Sequence, residues 1–120
     1  MAKHNETGKL GEEIALKHLK KGGYLILEIN WRFNKYEIDI IAKEGDTLVV
    51  VEVKTRKSEA FGAPEVFVDR RKQRFLIKAI NEYIKQKNMN NEVRFDIVSV
   101  IYDNGLEKTE HIKDAFYPLA

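Results

Sequence analysis

Residues 36–56 read YEIDIIAKEGDTLVVVEVKTR, two apolar runs interrupted by Glu37, Asp39, Glu52 and Lys54. Side chains on a strand alternate faces, so Glu37 shares a face with Asp39, and Glu52 with Lys54. A two-residue loop at Gly45-Asp46 suits a type II′ turn, which takes glycine first. That loop pairs Glu44 with Thr47 and sets Asp39 opposite Glu52 and Glu37 opposite Lys54. Opposed carboxylates repel one another. A divalent cation between them reverses the local electrostatics, and hard oxygen donors favour magnesium, manganese or calcium over zinc. The plainer alternative is a cross-strand ion pair between Glu37 and Lys54, with no metal.

A helix must bring any further ligand. Residues 7–21, TGKLGEEIALKHLKK, carry helical periodicity and end at Gly22-Gly23, a suitable stop. At 3.6 residues per turn, Leu10, Gly11, Ile14, Ala15, Leu16 and Leu19 form one apolar arc. Glu12 falls inside that arc and Glu13 outside it, so Glu12 points toward the protein body or sits at the arc's wet edge. Gly11 permits a close approach of helix to sheet.

The remaining elements follow from periodicity and turn residues. Residues 24–31, 37–43 and 47–54 read as strands. The stretch 58–64 reads as a loop, and Asp69 as the N-cap of a second helix running to about Lys87. Phe75, Leu76, Ala79, Ile80 and Tyr83 fall on one face of that helix, and NMNN at 88–91 breaks it. Residues 92–102 form another strand, DNG at 103–105 a turn, and a short strand or tail ends near Phe116. The expected class is α/β: a mixed central sheet flanked by helices, in the order α-β-β-β-α-β.

Length and composition narrow the function classes. A chain of 120 residues favours one domain, here with residues 1–6 and 117–120 as flexible ends. Hydrophobic residues at 43% and charged residues at 33% describe a globular protein, and zero cysteines exclude disulfides and thiolate metal sites. The N-terminal segment has no apolar signal core, and a cytoplasmic location is expected. Net charge is only +2, but KTRK at 54–57 and RRKQR at 70–74 are local basic clusters. Arg56, Lys57, Arg70, Arg71, Lys72 and Arg74 are the candidate phosphate contacts, each against the alternative of a solvated face. TGKLG lacks P-loop spacing, and His4, His18 and His111 lack zinc spacing. Asp96 reads as a structural hydrogen-bonding residue, His18 as helix-face packing and Trp31 as core.

An acidic residue on a strand, a hairpin and then Glu-Val-Lys resembles the PD-(D/E)XK nuclease signature, here Asp39 and Glu52-Val53-Lys54. GEE at 11–13, NWR at 30–32, EIDIIA at 37–42 and VEVKTR at 51–56 come first in the wider pattern. FGAPE at 61–65, KQR at 72–74 and RFD at 94–96 follow in order. Together they resemble the small bacterial YraN-type family of predicted endonucleases, itself similar to archaeal Holliday junction resolvases. The resemblance runs from about residue 8 to 116. It implies a restriction-endonuclease-like fold and hydrolysis of DNA phosphodiesters, branched or junction DNA included, with Mg2+ or Mn2+ as cofactor. It makes Asp39 and Glu52 metal ligands, Lys54 the catalytic lysine, Glu12 the helical glutamate of the pattern and Glu37 the acid before the aspartate. One position departs: the family usually has glycine where this chain has Tyr36.

In that chemistry the Val53 carbonyl could be a further ligand, and Glu12 could hold a metal-bound water or a second ion. Lys54 could orient the nucleophile, stabilise the transition state, or act as a base if burial lowers its pKa. The neighbouring carboxylates oppose such lowering, which favours the electrostatic role. A homodimer is expected by analogy with junction resolvases, which act as two-fold dimers. The alternatives are a non-cleaving nucleic-acid-binding module and an interaction subunit that keeps the fold.

Overall fold

Seven elements follow one another in the computed structural model, which describes residues 6–57, 68–103 and 105–117. They are α1 (Glu6–Lys21), β1 (Leu25–Phe33), β2 (Tyr36–Glu44), β3 (Thr47–Arg56), α2 (Arg70–Lys87), β4 (Val93–Asp103) and β5 (Leu106–Ile112). The expected loop at 58–64, the FGAPE segment and the ends at 1–5 and 118–120 lie outside the described residues.

The strands form one mixed sheet in sequence order, β1-β2-β3-β4-β5. Only β3 and β4 pair in parallel, and α2 is the crossover that such a pair needs. The architecture is the expected α/β one, with the C-terminal element now a seven-residue strand. Its sequence, LEKTEHI, lines the sheet's edge with polar and charged residues, so it carried little apolar signal.

Two cores sandwich the sheet. Leu76, Ala79, Ile80 and Tyr83 of α2 pack with Ile38, Ile41, Leu48, Val50, Phe95 and Ile97. Ile14, Ala15 and Leu19 of α1 pack with Ile40, Ala42, Val49, Val51, Val98 and Val100. Residues 48–51 are therefore buried on both faces, which is why LVVV is an unbroken apolar run. Each buried Leu, Ile or Val contributes about 1.5–3 kcal/mol, so the two helices fix the central strands firmly.

The helix ends obey local chemistry. Tyr24 N–H donates to Leu19 O at 3.0 Å and Gly23 N–H to Lys20 O at 3.1 Å, the paired bonds of a Schellman stop. Asp69 caps α2 as expected, its Oδ1 accepting from Lys72 N–H at 2.9 Å. Asn88, at φ 54°, closes the other end in the left-handed conformation.

Candidate functional site

The hairpin turn sets the register. Gly45 takes φ +60°, and the ladder runs from Glu44↔Thr47 to Ile40↔Val51, as the sequence predicts. There the β2–β3 ladder ends. Asp39/Glu52 and Glu37/Lys54, the next pairs in the expected register, are not ladder partners. Beyond Val51, β3 continues against β4, pairing Glu52↔Ile97 and Lys54↔Ser99, while β2 continues against β1. The Asp39 carboxylate spans the gap: its Oδ2 accepts the Val53 N–H at 2.8 Å, in place of a backbone acceptor. An extended residue directs its N–H and C=O to the same side, so the Val53 carbonyl also faces this gap.

The opposite edge of β2 is distorted as well. Asn30 and Asp39 fall between the pairs Ile29↔Ile40 and Trp31↔Ile38. Asn30 adopts φ 52°, a left-handed conformation in mid-strand that asparagine tolerates better than most residues. Across this point Ile38 joins the α2-side core and Ile40 the α1-side core, so the normal two-residue alternation is broken. Strain of this kind persists where the surroundings over-determine it, and it clusters at functional sites.

Glu52 is 1% exposed and lies on the α2 face. Lys72, in the first turn of α2, places Nζ 2.8 Å from Glu52 Oε1. Glu52 Oε2 is buried with no hydrogen-bond partner. Burial and the Glu52 charge push the Asp39 carboxyl up to about 7, against the Val53 hydrogen bond and Lys72. Burial, then Lys72, lower the Lys54 amine, and Glu52 and Asp39 only partly offset this. The carboxylates resist the shift, as the sequence leads one to expect, but burial and Lys72, a second lysine at this spot, outweigh them. Burial would lower Lys72 too, but Glu52, Asp39 and Lys54 together outweigh it and the net shift is upward.

Glu12 and Glu37 have different surroundings. The Glu12 side chain is partly buried and accepts from Asn30 Nδ2 at 3.2 Å. It is carried by α1, on the other side of the sheet from α2. Gly11 brings that helix in: a Cβ there would lie 1.9 Å from Thr55 Oγ1, one residue beyond Lys54. Glu37 faces Arg32, 3.5 Å away, rather than Lys54, because its register partner is Arg32 on β1. Its charge still acts on Asp39, as the weakest of the influences on that carboxyl.

Of the basic candidates, Lys57, Arg70, Arg71 and Arg74 are exposed and Arg56 is partly buried. Lys72 turns inward to Glu52 and is the exception. Tyr36 packs its ring 4.9 Å from that of Phe75, with the Arg71 guanidinium over the far ring, so it ties β2 to the start of α2. A groove of about 970 Å³ between α1 and β5 is lined by Leu10, Ile14, His18 and Thr109 and includes none of these acids.

Whether the residues fit a metal turns on the donors. Among the described residues no three His, Cys, Asp or Glu side chains converge on one point. The site offers two carboxylates, one with an unpartnered buried oxygen, and a carbonyl facing the same gap. That hard, anionic donor set suits a divalent cation such as Mg2+ or Mn2+ that keeps several waters.

Residues 11–100 match the family described as "Uncharacterised protein family UPF0102". The chain belongs to this family. A UPF0102 protein of Flavobacterium psychrophilum is 50% identical over 117 residues, covering 98% of each chain. One from Bacteroides thetaiotaomicron is 47% identical over 118 residues, again covering 98% of each. One from Porphyromonas gingivalis is 44% identical over 118 residues, covering 97% of this chain and 87% of the relative. The motifs from GEE to RFD thus resembled the family to which the chain belongs.

Three residues of this UPF0102 chain escaped the sequence reading. Lys72 reads as one of the surface bases because it stands within the basic run RRKQR, and its inward turn depends on helix phase relative to Glu52. Asn30 was legible in part: it is the polar, weak strand former within LILEINWRF. Ser99 is the register partner of Lys54, and its buried hydroxyl has no hydrogen-bond partner. Among the described residues no helix is long and apolar enough to cross a membrane.

Proposed function

We propose that this UPF0102 protein is a divalent-metal-dependent DNA endonuclease, with branched DNA as its first substrate to test. The observation that carries the reading is the carboxylate pair at the point where β2 and β3 part, with one buried oxygen of Glu52 left unpartnered. Family membership assigns no activity; the resemblance of Asp39 and Glu52-Val53-Lys54 to the nuclease signature supplies the chemistry.

Asp39, Glu52 and the Val53 carbonyl would hold Mg2+ or Mn2+. A bound ion would polarise the phosphodiester and acidify a water. Lys54, half-buried beside the acids, stabilises charge that builds on the phosphoryl oxygens. Its lowered pKa also brings a base role within reach. Asn30 holds Glu12 toward the same strand junction, and Glu37 adds negative potential there. The exposed Lys57, Arg70, Arg71 and Arg74 form the phosphate-binding rim.

A second reading, a non-cleaving DNA-binding module, is favoured by one observation: Lys72 already supplies Glu52 with a cation. The test is cleavage of branched, flapped, single-stranded and linear DNA with Mg2+ or Mn2+. The wild type cuts at least one substrate, and Glu52→Ala and Lys54→Ala each lose about 10²-fold or more. Equal cutting by wild type and variants overturns the nuclease reading; binding of DNA without cutting supports the module.

A further inference from the structure

We propose that Lys72 is a resident counter-ion whose ammonium holds the acidic pair together without metal and must leave when a divalent cation binds. The inference rests on the metal-site reading above and assigns a residue that reading does not use.

Charge balance is the first argument. With Asp39 ionised, as a metal ligand must be, Asp39 and Glu52 bring two negative charges, and Lys54 and Lys72, side by side, bring two positive ones. A divalent cation added to that set leaves two uncompensated positive charges in a half-buried site, so one ammonium is repelled. Access decides which. The Lys72 side chain is 40% exposed, whereas that of its partner Glu52 is 2% exposed. Lys72 reaches the acid from solvent on a flexible four-carbon stem and can withdraw by rotamer changes alone. Lys54 arises from β3 itself, in the parallel ladder with β4.

The unpartnered oxygen is the second argument. Lys72 meets Glu52 Oε1, yet Oε2 remains buried without a hydrogen bond. An ammonium is thus an incomplete occupant, and a cation with several coordination positions is a better one. Once displaced, Lys72 stands beside Arg71 and Arg74, both exposed, on the first turns of α2. It becomes a phosphate contact only when metal is bound, which couples loading of the metal to binding of DNA.

The test uses the full chain without DNA, with Mn2+ as the probe. Calorimetric titration of Lys72→Met gives a Kd about tenfold tighter than wild type, because a like charge beside the cation is gone. In the wild type, brief amine acetylation read by mass spectrometry shows Lys72 protected in EDTA and labelled several-fold faster with Mn2+. The labelling needs no variant, so a misfolded Lys72→Met leaves the inference exposed to refutation. Mn2+ binding with unchanged Lys72 labelling, or with equal or weaker affinity in Lys72→Met, overturns the displacement and leaves the metal site standing. Failure of wild type and variant alike to bind Mn2+ overturns both.

Discussion

Asp96 and Glu52 sit one register position apart on neighbouring strands, yet they face opposite sides of the sheet and fare differently. Val51 pairs with Asp96, and Glu52 with Ile97. On the α1 face Asp96 is 0% exposed and fully engaged. Arg94 meets both its oxygens, at 2.8 and 2.9 Å, His111 Nε2 lies at 2.8 Å and Asp114 N–H donates at 3.0 Å. Burial pushes the Asp96 carboxyl up, but hydrogen bonds from His111, Arg94 and Asp114 prevail and hold it at about 2. On the α2 face Glu52 keeps a bare oxygen, and its neighbour Asp39 is pushed up to about 7 by burial and by Glu52. The same sheet can therefore satisfy a buried acid completely. The deficit on the α2 face is particular to that site and not a general consequence of burying a carboxylate in this sheet.

The largest effect that separates the two faces is expected from Asp96→Asn. The amide cannot accept from all three donors, and Arg94 is left with a partly uncompensated buried charge. The expected cost is about 3–5 kcal/mol, read from urea melts at neutral pH. The pH dependence has a definite sign. Asp96 is lowered from 3.8 to about 2, so its stabilisation is present above 3.8 and fades as pH falls through 2. The gap between wild type and Asp96→Asn therefore narrows over that window. A cost below about 1 kcal/mol would place Asp96 among ordinary surface pairs and dissolve the contrast.

The sequence yielded much of this arrangement, and the omissions share a cause. Gly45, the apolar runs and Asp69 act locally, so the hairpin register, the buried strands and the α2 cap were legible. Gly11 was legible as a close approach, and Thr55 is what it approaches. The divergence of β2 from β3 at Asp39 was not, because it coincides with a left-handed Asn30 on a third strand, which nothing within the hairpin's own sequence announces. The Glu37–Lys54 pairing failed for that reason: register counting assumes that a ladder continues. Lys72 and the chain His18···His111···Asp96 were hidden because their partners lie far away in sequence. His18 Nε2 lies 3.1 Å from His111 Nδ1, a contact between α1 and β5. No helical or strand period can announce such a pair.

A smaller effect, of opposite sign, is expected from Asp39→Asn in the absence of divalent metal. The Asn oxygen still accepts the Val53 N–H, while the repulsion by Glu52 disappears. Asp39 is raised from 3.8 to about 7 in the folded protein, so the folded state holds a proton that the unfolded chain has lost. Wild-type stability accordingly falls as pH rises from 3.8 to about 7, then levels off. Asp39→Asn escapes that loss and is more stable by on the order of 2 kcal/mol at pH 8, with little difference at pH 3.5. Thermal melts in EDTA across this range check it. A variant less stable than wild type at pH 8 would show that the carboxylate is satisfied after all.

The smallest effect is the sharpest comparison, since it removes one hydroxyl from each face. Tyr24 OH accepts from Arg94 Nη2 at 2.7 Å within the Asp96 network. Ser99 Oγ, on the strand position paired with Lys54, is buried without a partner. Deleting a bonded hydroxyl leaves a donor unmet, whereas deleting an unbonded one removes only a desolvation cost. Tyr24→Phe is therefore expected to destabilise by about 1 kcal/mol, and Ser99→Ala to be neutral or to stabilise by up to about 1 kcal/mol. Parallel denaturant melts of the two variants give the sign directly. Should Ser99→Ala cost as much as Tyr24→Phe, the Ser99 hydroxyl has a partner in solution, and the α2 face is better satisfied than its geometry indicates.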